Sequence, residues 1–534
     1  MTTVEKEEGI IPWLKYKINY GLTFKGMITF TIVWEFCIIL FLSTFSQPIE
    51  AILGQPLLAI PFADPLTPDG NPFRDVEKAG RLIMVYHSIA VPFIATCTYF
   101  VLEFMDVREK FKSRVKWPLF IGSILASASG MIFAYILPEA WIIHGLYLVG
   151  LSLTFYAGVI LLIGVFPTKS FPKRDQEAGR NIFVGQLTLA LLAFCILVSV
   201  IIGAAVGAFF GNGMIPLLAE YFLRHDIAPW NESIYPIIFV DGIKAHLHIM
   251  LALIDVIILL IVYRYTVPDQ KGRWYLLSMV LVIPGMLIMS IGAWLVTFGD
   301  IIPFDAHYLI YAGSGILVLV GVILALTGWN RTSKGILGDT YESASWFSRA
   351  KAVFKDPVKF SLYFLFIWVN FVMTFSGIFL ALSLDGGDDP SILTRVTSLV
   401  AFREGPLAVE TTVARGHWHV LATLSAVILL LLFIDMIDIQ GLPRKLMGWL
   451  LFAGSVIAFG FAVIYMYFPH MDQDWAVNLT KYADVQEYWE SIASWLPLAL
   501  DLGIMLFVIA ITIFCFHQLI EILKGRKDVK EFPE

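Results

Sequence analysis

Residues 244–263 read Lys-Ala-His-Leu-His-Ile-Met-Leu-Ala-Leu-Ile-Asp-Val-Ile-Ile-Leu-Leu-Ile-Val-Tyr, and residues 415–422 repeat the opening as Arg-Gly-His-Trp-His-Val-Leu-Ala. Each stretch has a cation, a small residue, a His-x-His pair and then a long apolar run. An apolar run of about 20 residues matches the ~30 Å hydrocarbon core that a helix must cross. In lipid the backbone has to satisfy its own hydrogen bonds, which favours a helix for such a segment. The quoted stretch therefore reads as a transmembrane helix with ionisable side chains near one end.

The same kind of run recurs along the chain. Apolar spans are expected near 26–46, 80–104, 117–137, 141–166, 183–208, 236–263, 275–297, 306–328, 360–383, 408–436, 446–468 and 496–523. Of the 534 residues 58% are hydrophobic and 15% charged, against roughly 25% charged in a soluble domain. The connecting loops alternate in charge. Residues 1–25, 106–116, 167–180, 264–273, 331–359, 444–445 and 524–534 together hold 28 of the 37 Lys and Arg. The loops between them, such as 47–77 and 469–490, are acidic or neutral. The positive-inside rule then puts both termini in the cytoplasm, which requires an even number of spans. The expected fold is an all-α integral membrane protein of twelve transmembrane helices. Residues 1–25 form a cytoplasmic segment without a cleavable-signal pattern, 26–523 the membrane domain, and 524–534 a cytoplasmic tail.

Ten histidines occur, and several lie inside apolar spans, where ionisable groups are costly and usually functional. His87 is in span 2, His246 and His248 in span 6, and His417 and His419 in span 10. This four-span interval suggests three pseudo-repeats of four helices. All three spans enter from the outer side, so the five imidazoles share one layer. Residues two apart on a helix point about 200° apart, so each His-x-His pair can serve two separate sites. Neutral imidazole ligates haem iron, copper and zinc. Haem is favoured here because no carboxylate or thiolate stands at chelating spacing from these histidines. Lys244 and Arg415 lie slightly further out, where they either pair with haem propionates or snorkel to the interface. Asp255, on the cytoplasmic side of the span 6 histidines, is a candidate proton relay, or a carboxylate hydrogen-bonded to a neighbouring helix. Glu35, Glu103 and Asp501 also lie in or near spans, and His144 in span 4 is a further candidate for the histidine layer.

The four cysteines (Cys37, Cys97, Cys195, Cys515) are dispersed in apolar segments with no CxxC or CxxCH, which argues against thiolate metal sites and covalent haem. No phosphate-binding glycine loop, nucleophile triad or nucleic-acid patch is visible.

With histidines on the second, sixth and tenth spans, the chain resembles the large catalytic subunit of the haem-copper oxidase and nitric oxide reductase superfamily. The resemblance implies twelve helices in three pseudo-repeats and two haem b groups. It implies that His87 and His419 are the axial pair of a low-spin haem. His417 would be the proximal ligand of a second haem, with His246 or His248 on its distal side, where a second metal, copper or iron, would sit. It also implies a quinol or cytochrome c-type electron donor, possible further membrane or haem subunits, and residence in the plasma (inner) membrane. The chain departs from the family in two places. The family's paired histidines at the end of helix 7 are replaced by Ile-Gly-Ala-Trp-Leu-Val-Thr-Phe-Gly at 291–299, and Met250 and Ala252 follow the span 6 histidines by four residues. His307 at the start of span 8 is either a substitute ligand or interfacial. Two readings follow within the resemblance: a modified distal site that reduces a small gas such as nitric oxide, or a second haem closed by a helix 6 histidine. Outside it stand a dihaem cytochrome b electron-transfer subunit with bis-histidine haems, and a transporter or sensor for a metal, haem or small solute.

Overall fold

The structure, a computed structural model, describes residues 20–40, 76–137, 140–167, 176–207, 235–268, 270–296, 306–368, 423–437, 439–471 and 495–523. The long elements are α1 (Phe24–Leu40), α2 (Val76–Phe104), α3 (Glu109–Tyr135), α4 (Trp141–Val165), α5 (Gln176–Val206), α6 (Tyr235–Thr266), α7 (Arg273–Val296) and α8 (His307–Leu337). They continue as α9 (Pro357–Ile367), α10 (Thr423–Met436), α11 (Gly441–Met471) and α12 (Trp495–Leu523). A short helix, Trp346–Ala352, lies between α8 and α9.

Among the described residues nine helices are long and apolar enough to cross a membrane: α2 to α8, α11 and α12. The described residues are thus all-helical, and their long apolar helices are those of a multi-pass membrane protein. The expected spans 26–46, 360–383 and 408–436 coincide with the shorter apolar helices α1, α9 and α10, and the rest of each lies outside the described residues. Several helices run past the expected spans into the basic loops. α3 begins at Glu109 rather than near 117, and α8 continues to Leu337 rather than 328. Long basic side chains, whose stems lie along apolar surface while the heads reach water, let a helix continue beyond the hydrocarbon.

Lipid tails are as apolar as leucine, so burial of apolar area does not by itself hold such helices together; close packing and interhelical hydrogen bonds do. The chain divides into two compact units, 1–313 and 314–534. In the first, α3 and α4 pair closely, α2 packs on α1, α3 and α6, and α5, α6 and α7 pack against one another. In the second, α11 pairs with α12 and α9 packs on α11.

Three of these helix pairs share one contact. A Cβ on Gly150 of α4 would strike the Gly122 carbonyl and the Ala126 amide nitrogen of α3. A Cβ on Gly313 of α8 would lie 2.5 Å from the Gly285 carbonyl and 2.6 Å from the Met289 nitrogen of α7. A Cβ on Gly503 of α12 would strike the Ala458 nitrogen of α11, and one on Gly454 of α11 would lie 2.9 Å from the Gly503 carbonyl. Each pair therefore sets a glycine against a glycine and the residue four positions on, with backbones touching as in small-xxx-small membrane crossings.

At the basic-loop end of the second unit, Arg444 Nη2 bridges Asp356 (3.0 Å) and Asp435 (2.5 Å). Asp356 also caps α9, accepting from the Lys359 amide at 3.3 Å with Pro357 in the first turn. One guanidinium thus fixes the ends of α9, α10 and α11.

Candidate functional site

α2 and α6 lie against each other in the first unit. His87 is near the start of the apolar part of α2, and His246 in the corresponding part of α6. Their ring centroids are 6.3 Å apart with planes tilted 50°. Both rings are only half-buried. Nine residues further along α6, Asp255 lies near Cys97, ten residues beyond His87 on α2. The two helices therefore keep a common register, as parallel neighbours would.

Each imidazole is held at Nδ1. The phenolic oxygen of Tyr147, on α4, lies 2.7 Å from His87 Nδ1. His246 Nδ1 lies 3.2 Å from the Ser199 carbonyl of α5, a geometry in which the imidazole N–H donates. Holding Nδ1–H on a hydroxyl or carbonyl oxygen leaves the Nε2 lone pair free, which is how metal-binding histidines are commonly oriented. For His246 the tautomer follows from the carbonyl partner. For His87 it follows if Nδ1 is the donor to Tyr147.

Both anchors rest on close packing. The Trp34 indole of α1 donates to the Ser88 carbonyl at 3.0 Å, and Ser88 Oγ donates to Met84 O at 2.7 Å. Gly130 of α3 leaves room here, since a Cβ would strike Ser88 Oγ and come within 3.5 Å of the Tyr147 ring. Gly203 of α5, one turn beyond Ser199, leaves the seat for the second imidazole, because a Cβ there would collide with the His246 ring. The Trp294 indole of α7 donates to Ser199 Oγ at 3.3 Å, and its ring lies 6.4 Å from that of His246. On the other side, His144 meets Phe133 edge-on at 5.4 Å and Tyr147 at 6.3 Å. The rings of Phe133, His144, Tyr147, His87, His246 and Trp294 form a continuous row across five helices.

Of the sequence candidates, His87 and His246 are brought together, and His144 joins them through Tyr147. His248, half-buried, points about 200° away from His246. Asp255 sits seven residues beyond His248, hence on the same face of α6. His417, His419 and Arg415 lie outside the described residues, as do the side chains of Lys244 and His307. The pairing of His87 with His246 differs from the arrangement the resemblance implies, where these two histidines serve different centres. Sequence reasoning missed Tyr147, Ser199, Gly203 and Trp294. Trp294 stands in the stretch quoted for the missing helix 7 histidines, and nothing in the pattern marked the other three.

Among the described residues no three His, Cys, Asp or Glu side chains come together to hold a metal ion. Haem iron takes four ligands from its porphyrin and needs only one or two from the protein, a number a histidine pair can supply. No protein-family model, characterised protein or solved structure matches this chain.

Proposed function

We propose that the protein is a haem b-containing membrane oxidoreductase resembling the large subunit of the haem-copper oxidases and nitric oxide reductases. In this reading it passes electrons from a quinol or cytochrome c-type donor to a small gas such as nitric oxide, at a distal site altered from the family pattern. Twelve spans in three repeats of four, with both termini on the cytoplasmic side of the plasma (inner) membrane, belong to the same reading. The repeat draws support from the three matching glycine crossings, which fall on the third and fourth helices of each four, while the candidate histidines fall on the second.

The observation that carries haem binding in this reading is the convergence of His87 and His246, each tethered at Nδ1, although in the family the corresponding histidines serve different centres. Bound haem supplies one-electron redox chemistry at its iron. In this reading His87 would ligate the iron, with Tyr147 orienting its ring and Ser199 and Gly203 seating His246. His417 and His419 would complete the ligand set, Lys244 and Arg415 would pair with the propionates, and Asp255 would hold a proton about two turns below the histidines.

The approach of His87 to His246 favours a second reading. Were both imidazoles to serve one haem iron, it would have no open position and the protein would be an electron-transfer cytochrome b.

Absorption spectra of the purified protein, reduced with and without carbon monoxide, together with metal analysis, test both. A haem that responds to carbon monoxide supports the gas reductase. Haem without a response supports the electron-transfer cytochrome. Absence of haem overturns both and leaves a transporter or sensor.

A further inference from the structure

One face of α5 carries Asn181, Thr188, Cys195 and Ser199, at intervals that keep them on one side of a helix. Each meets a group of the segment that runs from α6 through α7. Asn181 Nδ2 donates to the Gln270 carbonyl at 2.8 Å, and Thr188 Oγ1 reaches the Met279 carbonyl at 3.2 Å. Cys195 lies beside Ser290. Ser199 accepts from Trp294 through its hydroxyl and from His246 through its carbonyl. A polar seam therefore runs from the basic-loop end of the first unit to the imidazole of His246.

At the basic-loop end the seam opens on a cavity with about 20 Å³ of room for water-sized molecules, lined in part by Asp106, Gln186, Tyr263, Gln270, Tyr275 and Met279. Gln270 Nε2 donates to Asp106 at 2.8 Å, and the Tyr275 hydroxyl donates to Gln270 Oε1 at 3.4 Å. Gln186 is only 5% exposed, and its Nε2 has no hydrogen-bond partner among the described residues. The same holds for Asn181 Oδ1 at the basic-loop end of the seam. Buried polar atoms are almost always satisfied, by protein or by ordered water, and a space of this size holds one or two waters.

We propose that the α5–α7 seam is a hydrated path, in which exchangeable waters enter at the Asp106–Gln270 cavity and run past Gln186 and Ser290 to Ser199 and His246. Water along it gives protons a route from the basic-loop face to the histidine pair. The seam stands on its own contacts and does not depend on what the histidines bind.

Brief hydroxyl-radical labelling of the full-length protein in lipid nanodiscs, after rapid mixing with ¹⁸O-water, tests the path without reference to haem. Matched pairs give the comparison. Met279 at the cavity and Met289, packed against Gly313, are both buried on α7. Cys195 on the seam and Cys97 on α2 are the two buried cysteines among the described residues. The path predicts several-fold faster ¹⁸O incorporation at Met279 than at Met289 and at Cys195 than at Cys97. Gln186→Leu, which keeps side-chain bulk and removes the amide, should lower labelling at Met279. Equal rates within either pair, or labelling at Met279 without labelling at Cys195, would overturn it. The wild-type comparison stands even if the variant does not fold.

Discussion

α7 presents two unlike faces to its neighbours. Towards α8 it is dry and backbone-close: Gly285 and Met289 touch Gly313, and a Cβ on Gly292 would lie 2.8 Å from the Ile310 amide. Towards α5 it is polar, with the Met279 carbonyl, Ser290 and the Trp294 indole meeting Thr188, Cys195 and Ser199. The first kind of face recurs in α3–α4 and α11–α12, whereas the second is tied to His246. In a solvent without a hydrophobic drive between helices, steric fit sets the scaffold and hydrogen bonds mark where chemistry is placed. At the dry crossings backbone meets backbone. The polar seam opens on a cavity beside the Gln186 amide, unpaired among the described residues, which is what a site that exchanges protons or ligands needs.

The sharpest way to break this contrast is Gly313→Leu. The side chain has nowhere to go against Gly285 and Met289, and we expect a loss of more than about 3 kcal/mol, or failure to accumulate. Thermal unfolding in detergent checks it, and retention of near-wild-type stability would show the crossing to be looser than described. Gly203→Ala comes next. Its Cβ competes with the His246 ring, at a cost of about 1–3 kcal/mol, and it should displace that imidazole, which in the haem reading proposed above alters the absorption spectrum. Trp294→Phe removes the bond to Ser199 Oγ and should cost about 1 kcal/mol, with a smaller spectral change. Thr188→Val keeps the shape and removes one hydroxyl that also bonds Val184 O within its own helix at 2.8 Å. Unfolding should shift by about 1 kcal/mol or less, which would mark the polar face as tolerant where the dry face is not.

Much of the scaffold was legible in the sequence. Apolar runs such as 256–263 locate helices because only a helix hides its backbone in lipid, and His-x-His on α6 singles out His246, which the fold sets beside His87. The helix ends were less legible, since Glu109–Lys116 reads as a charged loop yet continues α3. The supports of the site were hardly legible at all. Gly203 and Ser199 act through the absence of a side chain and through a backbone carbonyl, neither of which leaves a distinctive residue pattern. Tyr147 resembles any interfacial tyrosine until α4 is seen to bring it to His87.

The haem reading proposed above rests on His87 as an iron ligand, with His246 beside it. The low-spin ferric signal in the electron paramagnetic resonance spectrum of the oxidised protein tests it most directly, recorded for wild type, His87→Ala and His246→Ala. The account predicts that the signal disappears in His87→Ala and is lost or shifted in His246→Ala. A wild-type signal that persists unchanged in both variants would contradict it.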